Sequence, residues 1–207
     1  MKKTIMTLIL ICAVSAAQAK TLTIGIDLSG SNPLLAHKNF AHIASQYVTN
    51  EINKLNNGDT VNVKTFGSRA VAENLLNTSF QISRRVKPEK VAGVVAQYIQ
   101  SLPEKVDVAQ SSTNLVAWLD FTSGFNCTDA GQILVITDGI ESSTYVDGND
   151  LLQGKKGLPK PDVDLKGCSL TFYGLGAGLP PQAVRNIRNE WVRWSEQAGA
   201  IFTAVIP

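Results

Sequence analysis

Three short polar fragments of the sequence carry oxygen-bearing side chains in positions where chemistry is possible. The fragment Asp27-Leu28-Ser29-Gly30-Ser31 directly follows an apolar run, and Thr137-Asp138-Gly139 directly follows another. Between them, Thr113 ends a Ser-Ser-Thr stretch that precedes apolar residues at helical spacing. The potential ligands are two carboxylates and three hydroxyls: Asp27, Ser29, Ser31, Thr113 and Asp138. This all-oxygen set suits a hard cation such as Mg²⁺ and contains no soft ligand of the kind that zinc or copper prefers.

The spacing of the first fragment has a physical meaning. Alternate residues of an extended turn project to the same side, and Gly30 lets the backbone approach a ligand closely. Each fragment taken alone has a simpler interpretation, because Asp, Ser and Thr are preferred helix N-caps. Asp27 or Ser31 could cap one helix, and Ser112 or Thr113 could cap the next. The occurrence of all three fragments together favours a shared site over separate caps.

The elements that must position these fragments alternate between strand and helix. Near-continuous apolar strands separated by helices indicate parallel β-α-β units and a sheet covered on both faces. We therefore predict an α/β fold with a doubly wound, mainly parallel central sheet, flanking helices and one antiparallel edge strand. The predicted strands are Thr21–Asp27, Thr60–Phe66, 72–83 (at an edge), 133–136, 170–175 and 201–206, and the predicted helices are 34–55, Pro88–Ser101, one after Thr113, and 181–197.

The predicted topology has a consequence for the polar fragments. In open parallel sheets, ligands bind beyond the carboxyl ends of the strands, where the strand order reverses. The first and third fragments follow strands and should therefore reach that edge. The second fragment reaches the same edge if the loop that carries it crosses there. Residues 141–166 lack periodicity, and long irregular connections inside a domain are usually functional or mobile. We expect this insertion at the same edge.

The start of the chain has the features of a secretory signal peptide. Lys2 and Lys3 precede an apolar run over 5–14, and Ala17-Gln18-Ala19 supplies small residues for cleavage before Lys20. The run is too short to span a bilayer, which takes about 20 apolar residues. Cys12 raises a lipoprotein alternative, but Ile11 is bulky for that motif. We predict residues 1–19 as a bacterial signal peptide and 20–207 as one periplasmic or secreted domain, with no membrane insertion after cleavage.

Charge and cysteine content narrow the possible partners. The predicted leader carries two of the 19 basic residues and none of the 17 acidic ones, so the remainder is formally neutral. The sequence contains no cluster of basic residues of the kind that binds nucleic acid, so we expect no nucleic-acid partner. Cys127 and Cys168 remain, and an isolated pair in an oxidising compartment is a disulfide candidate. Closing a loop of this size could stabilise the fold by about 3–4 kcal/mol.

The three fragments, in their order along the chain, resemble a known site. DLSGS at 27–31, Thr113 in SSTNL and TDG at 137–139 look like the metal-ion-dependent adhesion site of von Willebrand factor A (vWA) domains. The strand–helix alternation of residues 20–207 is similar too. The sequence departs from the family at Ser111, where a glycine is common, and in its irregular 141–166 crossover.

The resemblance implies a function. Ser29, Ser31 and Thr113 would ligate Mg²⁺ (or Mn²⁺ or Ca²⁺) directly or nearly so, and Asp27 and Asp138 directly or through water. A protein partner would offer a carboxylate to the open coordination position. The resemblance also makes the strands after Cys127 and Cys168 neighbours, which places both cysteines at the amino edge of the sheet, opposite the metal.

Two other functions are alternatives to this adhesion or assembly module. In a structural subunit of an envelope, secretion or conjugation assembly, the metal would only order the edge of the sheet. A hydrolase would need a second aspartate at the position of Ser29, or a G-x-S-x-G motif with a late histidine, and none of these occurs. We therefore do not expect an enzyme.

Aromatic residues and histidines are predicted to be structural. The stripe of Val184, Ile187, Trp191, Trp194 and Ala198 has helical spacing, which favours core packing. Trp118 and Phe121 are predicted to pack in the same way. His37 and His42 are five residues apart and fall on different helical faces, so we expect ordinary solvent-facing side chains.

Overall fold

A six-stranded sheet forms the centre of the protein in the computed structural model, which describes residues 19–68, 76–105, 107, 109–122, 125–127 and 131–207. Its strands lie in the order β3-β2-β1-β4-β5-β6. All neighbouring pairs are parallel except β2 and the edge strand β3, which are antiparallel. The predicted fold class is therefore confirmed. The strands are β1 Thr21–Asp27, β2 Thr60–Phe66, β3 Asn77–Gln81, β4 Gln132–Ile136, β5 Ser169–Tyr173 and β6 Ile201–Val205.

Helices cover both faces of this sheet. The α-helices are α1 Pro33–Ala36, α2 Lys38–Ile52, α3 Pro88–Ser101, α4 Leu115–Phe121, α5 Gly148–Leu152 and α6 Pro181–Ala198, and a 3₁₀ turn follows α3 at Leu102–Glu104. The helix predicted over 34–55 is divided, because His37 adopts an extended backbone between α1 and α2. Leu35 and Phe40 are buried on either side of the break, so the apolar spacing hid it. The irregular segment 141–166 contains the short helix α5.

Two hydrophobic cores lie on opposite faces of the sheet. One joins β1 and β2 to α2 and α3, and the other joins β4 and β5 to α4 and α6. Leu22, Ile24 and Ile26 of β1 enter the first core. On the opposite face, a Cβ at Gly25 would lie 2.6 Å from the Trp118 ring. Glycine at this position therefore allows α4 to pack directly on β1.

The strand order reverses between β1 and β4. The chain leaves β1 through α1 and α2 and returns in β2, whereas from β4 it passes through α5 to β5 and through α6 to β6. Connections that diverge in this way leave a crevice at the carboxyl ends of the two strands. Asp27 ends β1 and Asp138 comes two residues after β4, so both flank this crevice.

The opposite, amino edge of the sheet carries a covalent link. Cys127 is disulfide-bonded to Cys168, 41 residues later in the chain. Cys168 immediately precedes β5, and Cys127 precedes β4. The structure thus contains the predicted pair at the predicted edge.

The predicted leader largely falls outside the described residues, as does the start of the predicted edge strand at 72–75. Within the described ranges, no helix combines the length and apolar character needed to cross a membrane.

Most of the predicted aromatic packing is confirmed. Ile187, Trp191, Trp194 and Ala198 of α6 are buried, and Val184 is half-buried. Trp118 is buried as well, and its ring stacks on Phe66. Both histidines are exposed, as expected.

The prediction for Phe121 was wrong. Its side chain is 76% exposed. It is the last residue of α4, and no described residue covers the end of that helix as the core covers its middle. Helical spacing predicts the buried face of a helix, but it does not predict where that face runs past the core.

Candidate metal centre

The first polar fragment folds back on the end of β1. The Asp27 carboxylate is fully buried, and its Oδ1 accepts a hydrogen bond of 2.8 Å from the Ser29 N–H. The hydroxyl oxygens of Ser29 and Ser31 lie 3.3 Å apart. The turn therefore gathers two hydroxyls beside one carboxylate, as the D-x-S-x-S spacing predicts. Ser29 is buried, whereas Ser31 is exposed.

The third fragment extends β4 beside this turn. The Thr137 hydroxyl donates a hydrogen bond of 2.7 Å to Asp27 Oδ2 and so joins the two fragments directly. Asp138 is 1% exposed, and its Oδ1 accepts from the Ile140 N–H at 2.9 Å. Its Oδ2 is buried and has no hydrogen-bond partner among the described residues. One carboxylate oxygen at this edge is therefore available to a ligand.

The second fragment reaches the same edge through backbone hydrogen bonds. The Gly30 N–H donates to the Gln110 carbonyl, and the Gln110 N–H donates to the Leu28 carbonyl. Three residues further on, Thr113 and Ser142 exchange two backbone hydrogen bonds of 2.9 and 3.0 Å. The loop that carries Thr113 is thus held between the chain after β1 and the chain after β4, and Thr113 itself is buried.

The electrostatics of this edge are unfavourable without a positive charge. Burial, and secondly the negative charge of Asp138, raise the pKa of Asp27 to about 7. Burial also raises the pKa of Asp138, although hydrogen bonds from the Ile140 N–H and the Ser31 hydroxyl oppose the rise. Neither carboxylate takes part in an ion pair of the described part of the chain. Two buried acids without a basic partner must hold protons or a cation.

The chemistry of the donors fits a hard cation. Asp27, Ser29, Ser31 and Asp138 converge at the crevice, and the Thr113 loop lies against it; we call these five residues the candidate metal centre. No three His, Cys, Asp or Glu side chains cluster anywhere in the described ranges. An ion here would therefore also need hydroxyl and water oxygens, which Mg²⁺ accepts in octahedral geometry.

Two residues that position the centre were not predicted from the sequence. Thr137 is one, through its bond to Asp27. Asn32 is the other: its buried Nδ2 donates to the Asp27 carbonyl at 2.8 Å and the Ile136 carbonyl at 3.2 Å. Its Oδ1 accepts from the Leu34 N–H as the N-cap of α1. Asn before Pro at a helix start is a recognisable capping signal, but nothing in the sequence shows that the same side chain joins β1 to β4.

Replacing Asn32 should therefore weaken both the fold and the centre. Asn32→Ala removes the donor from two buried carbonyls, which at about 1–3 kcal/mol for each unsatisfied group predicts a loss of about 2–6 kcal/mol in the free energy of unfolding. Urea denaturation followed by circular dichroism measures this loss. Asn39→Ala, an exposed change on α2, is the matched control and should stay within about 0.5 kcal/mol of the wild type. Equal losses in the two variants would contradict the role assigned to Asn32.

The fold and this edge together define a class of protein: a doubly wound α/β domain with an oxygen-donor centre at its switch point. The sequence matches no protein-family model and no curated protein. Among solved structures, the chain is similar to an aerotolerance-related membrane protein from Bacteroides fragilis NCTC 9343 that carries multiple mutations to serine. The two are 14% identical, with a TM-score of 0.46 over 90% of this chain and 92% of that chain.

A second similar structure is the conserved hypothetical protein BatB from Bacteroides thetaiotaomicron. It is 16% identical, with a TM-score of 0.44 over 91% of each chain.

Proposed function

We propose that this chain is an exported, metal-dependent protein-binding module of the vWA type. The candidate metal centre holds Mg²⁺, or Mn²⁺ or Ca²⁺ in its place, and a carboxylate from a protein partner completes the coordination shell. The observation that carries the proposal is the pairing of two buried carboxylates, without a basic partner, beside two serine hydroxyls at the switch point.

The charge balance supports a partner carboxylate. A divalent cation neutralises Asp27 and Asp138, so the loaded centre carries no net charge and can accept one further anionic ligand. Access also favours this arrangement, because Ser31 and the neighbouring Gly30 are exposed while the other four residues of the centre are buried. A partner would approach from the side of Ser31.

The proposed location agrees with the covalent structure. A disulfide between Cys127 and Cys168 suits an oxidising compartment such as the bacterial periplasm or the exterior. The predicted signal peptide would deliver the chain there. The role proposed for the mature domain is binding rather than catalysis.

A purely structural ion is the second candidate function, and one observation favours it. The three fragments are already joined by the Thr137 hydroxyl and by backbone hydrogen bonds of the adjoining residues, and they lie mostly buried, so an ion among them would tie the edge together. In that case the chain would serve as a subunit of an envelope or secretion assembly. Its partner would bind elsewhere on the surface.

Calorimetric titration of Mg²⁺ into the purified protein tests the centre. The wild type should bind one ion, and Ser29→Ala should weaken binding by about 10–100-fold or more, since even outer-shell substitutions at metal sites have effects of that size. Ser83→Ala is the matched control, because its hydroxyl accepts from the Val86 N–H in a turn before α3. Unchanged affinity in Ser29→Ala would exclude the proposed ligand set. Capture of envelope proteins with and without EDTA then identifies a metal-dependent partner.

A further inference from the structure

A second group of buried oxygens lies beside the candidate metal centre without belonging to it. Asn114 is 7% exposed and Glu141 is fully buried. Asn114 Oδ1 and Glu141 Oε1 each expose less than 1 Å² and have no hydrogen-bond partner among the described residues. Two such atoms on neighbouring segments require an explanation, because a buried polar group without a partner costs about 1–3 kcal/mol.

The backbone brings these two residues together. Thr113 and Ser142 form an isolated antiparallel bridge. Asn114 follows Thr113 and Glu141 precedes Ser142, so the antiparallel direction of the two segments makes Asn114 and Glu141 neighbours. The Glu141 Oε2 atom accepts a hydrogen bond of 3.0 Å from the Val116 N–H in the first turn of α4, and Asn114 is the N-cap residue of the same helix. The Leu115 N–H and the Ser143 hydroxyl also interact with the carboxylate, but Oε1 remains without a partner.

An ionised carboxylate and an amide oxygen both accept hydrogen bonds and neither donates, so the pair needs either a proton on Glu141 or a cation. Neither atom is exposed to solvent, so bulk water does not satisfy it. A cation needs less separation from each oxygen than a water does, since Ca²⁺–oxygen distances of about 2.3–2.6 Å are shorter than ordinary hydrogen bonds of about 2.7–3.2 Å.

A polar cleft, which Asn114 lines and Glu141 does not, lies beside the pair and offers further oxygens. It has a volume of 390 Å³ and contains no basic residue in its lining. This volume is enough for several waters at about 30 Å³ each. The lining consists of oxygen-bearing side chains: Ser112, Asn114, Ser142, Ser143, Thr144 and Asp147.

We propose that Glu141 Oε1 and Asn114 Oδ1 form a second cation site, distinct from the candidate metal centre and suited to Ca²⁺. Ca²⁺ takes six to eight oxygen ligands in flexible geometry and accepts carboxylate, amide and water oxygens together. Hydroxyls and waters of the cleft complete the shell. Because one carboxylate supplies the only charge in direct contact, the dissociation constant should lie at about 10⁻⁴–10⁻³ M, the weak end of protein calcium sites.

The number of bound ions tests the proposal. Equilibrium dialysis with radioactive calcium should give two ions for the wild type, one for Ser29→Ala, one for Glu141→Gln and none for the double variant. Two ions in Glu141→Gln would overturn the proposal. The comparison also separates the two sites. Two ions in Ser29→Ala and one in Glu141→Gln would contradict the candidate metal centre and still support the second site.

The variants are chosen so that the fold survives. In Glu141→Gln the amide oxygen can still accept from the Val116 N–H, while the new N–H group can donate to Asn114 Oδ1. We therefore expect unchanged circular dichroism and, in EDTA, a melting temperature equal to or above that of the wild type. Asn114→Ala is a second, independent variant that should also bind a single ion.

Asp147→Asn is the matched control in the cleft. Asp147 lines the cleft and caps α5, and asparagine is an equally good N-cap. This variant should keep both ions, because the proposed site uses the buried pair rather than the exposed carboxylate. Loss of one ion in Asp147→Asn together with retention in Glu141→Gln would place the ion in the open cleft and overturn the proposal.

Discussion

Metal-free protein is expected to lose stability as the pH rises from about 4 to about 7. The pKa of Asp27 is raised from its ordinary value of 3.8 to about 7, first by burial and then by the charge of Asp138. Between these values the folded protein holds a proton that the unfolded chain has released, so the free energy of unfolding falls with increasing pH. A difference of about three pKa units corresponds to a loss of about 4 kcal/mol across the window.

Urea denaturation in EDTA at a series of pH values measures this effect. Mg²⁺ should remove most of the loss above pH 7, because the cation stabilises the ionised carboxylates of the folded state alone. Asp27→Asn is the control: its amide can still accept from the Ser29 N–H, and without the titrating group the pH dependence should be much shallower. Metal-free stability that stays constant or rises between pH 4 and pH 7 would contradict the buried, unpaired carboxylates described here.

Asp138→Asn is expected to separate metal binding from folding. The amide oxygen can still accept from the Ile140 N–H, and the new amide nitrogen replaces an oxygen that has no hydrogen-bond partner among the described residues. The variant removes one of two repelling charges, so in EDTA at neutral pH it should be at least as stable as the wild type. It also removes a proposed ligand, so Mg²⁺ affinity should fall by more than the roughly 10–100-fold typical of outer-shell changes.

The same variant discriminates between the two candidate functions. If the ion bridges to a partner carboxylate, Asp138→Asn should lose partner capture in Mg²⁺. If the ion is structural, the variant should lose the Mg²⁺-dependent rise in melting temperature and yet capture the partner. Asp162→Asn, an exposed carboxylate in the loop between α5 and β5, serves as the control and should behave as the wild type in both measurements.

The parts of this structure that were predicted from sequence depend on short-range patterns. Apolar periodicity and turn residues gave the bounds of β1 and β2 to the residue, because those strands are buried and end in distinctive polar turns. The place of Asp27 and Asp138 at the switch point followed from the alternation of strands and helices, since that order permits few sheet topologies. Pairing of Cys127 with Cys168 followed from the absence of any other cysteine outside the predicted leader.

The parts that were not predicted depend on which distant segments meet. In the sequence Asn32 looks like a helix cap. Its two further hydrogen bonds, to the Asp27 and Ile136 carbonyls, form only because β1 and β4 lie side by side in the fold. Glu141 looks like the first residue of an irregular loop, although its carboxylate is buried against α4. The break at His37 is hidden because the apolar residues on either side keep helical spacing. Phe121 has the spacing of a core residue but lies where the helix ends.

The disulfide has a consequence for the opposite end of the molecule. Strand β4 begins shortly after Cys127 and ends just before Asp138, so the strand that presents this carboxylate is stapled to β5 at its start. A slip of one residue between parallel strands would displace Asp138 by about 3.3 Å and turn alternate side chains to the other face. The staple opposes such a slip and so fixes the position along the strand at which Asp138 faces Asp27. The disulfide and this carboxylate lie at opposite ends of a five-residue strand, which is about 16 Å long at about 3.3 Å per residue.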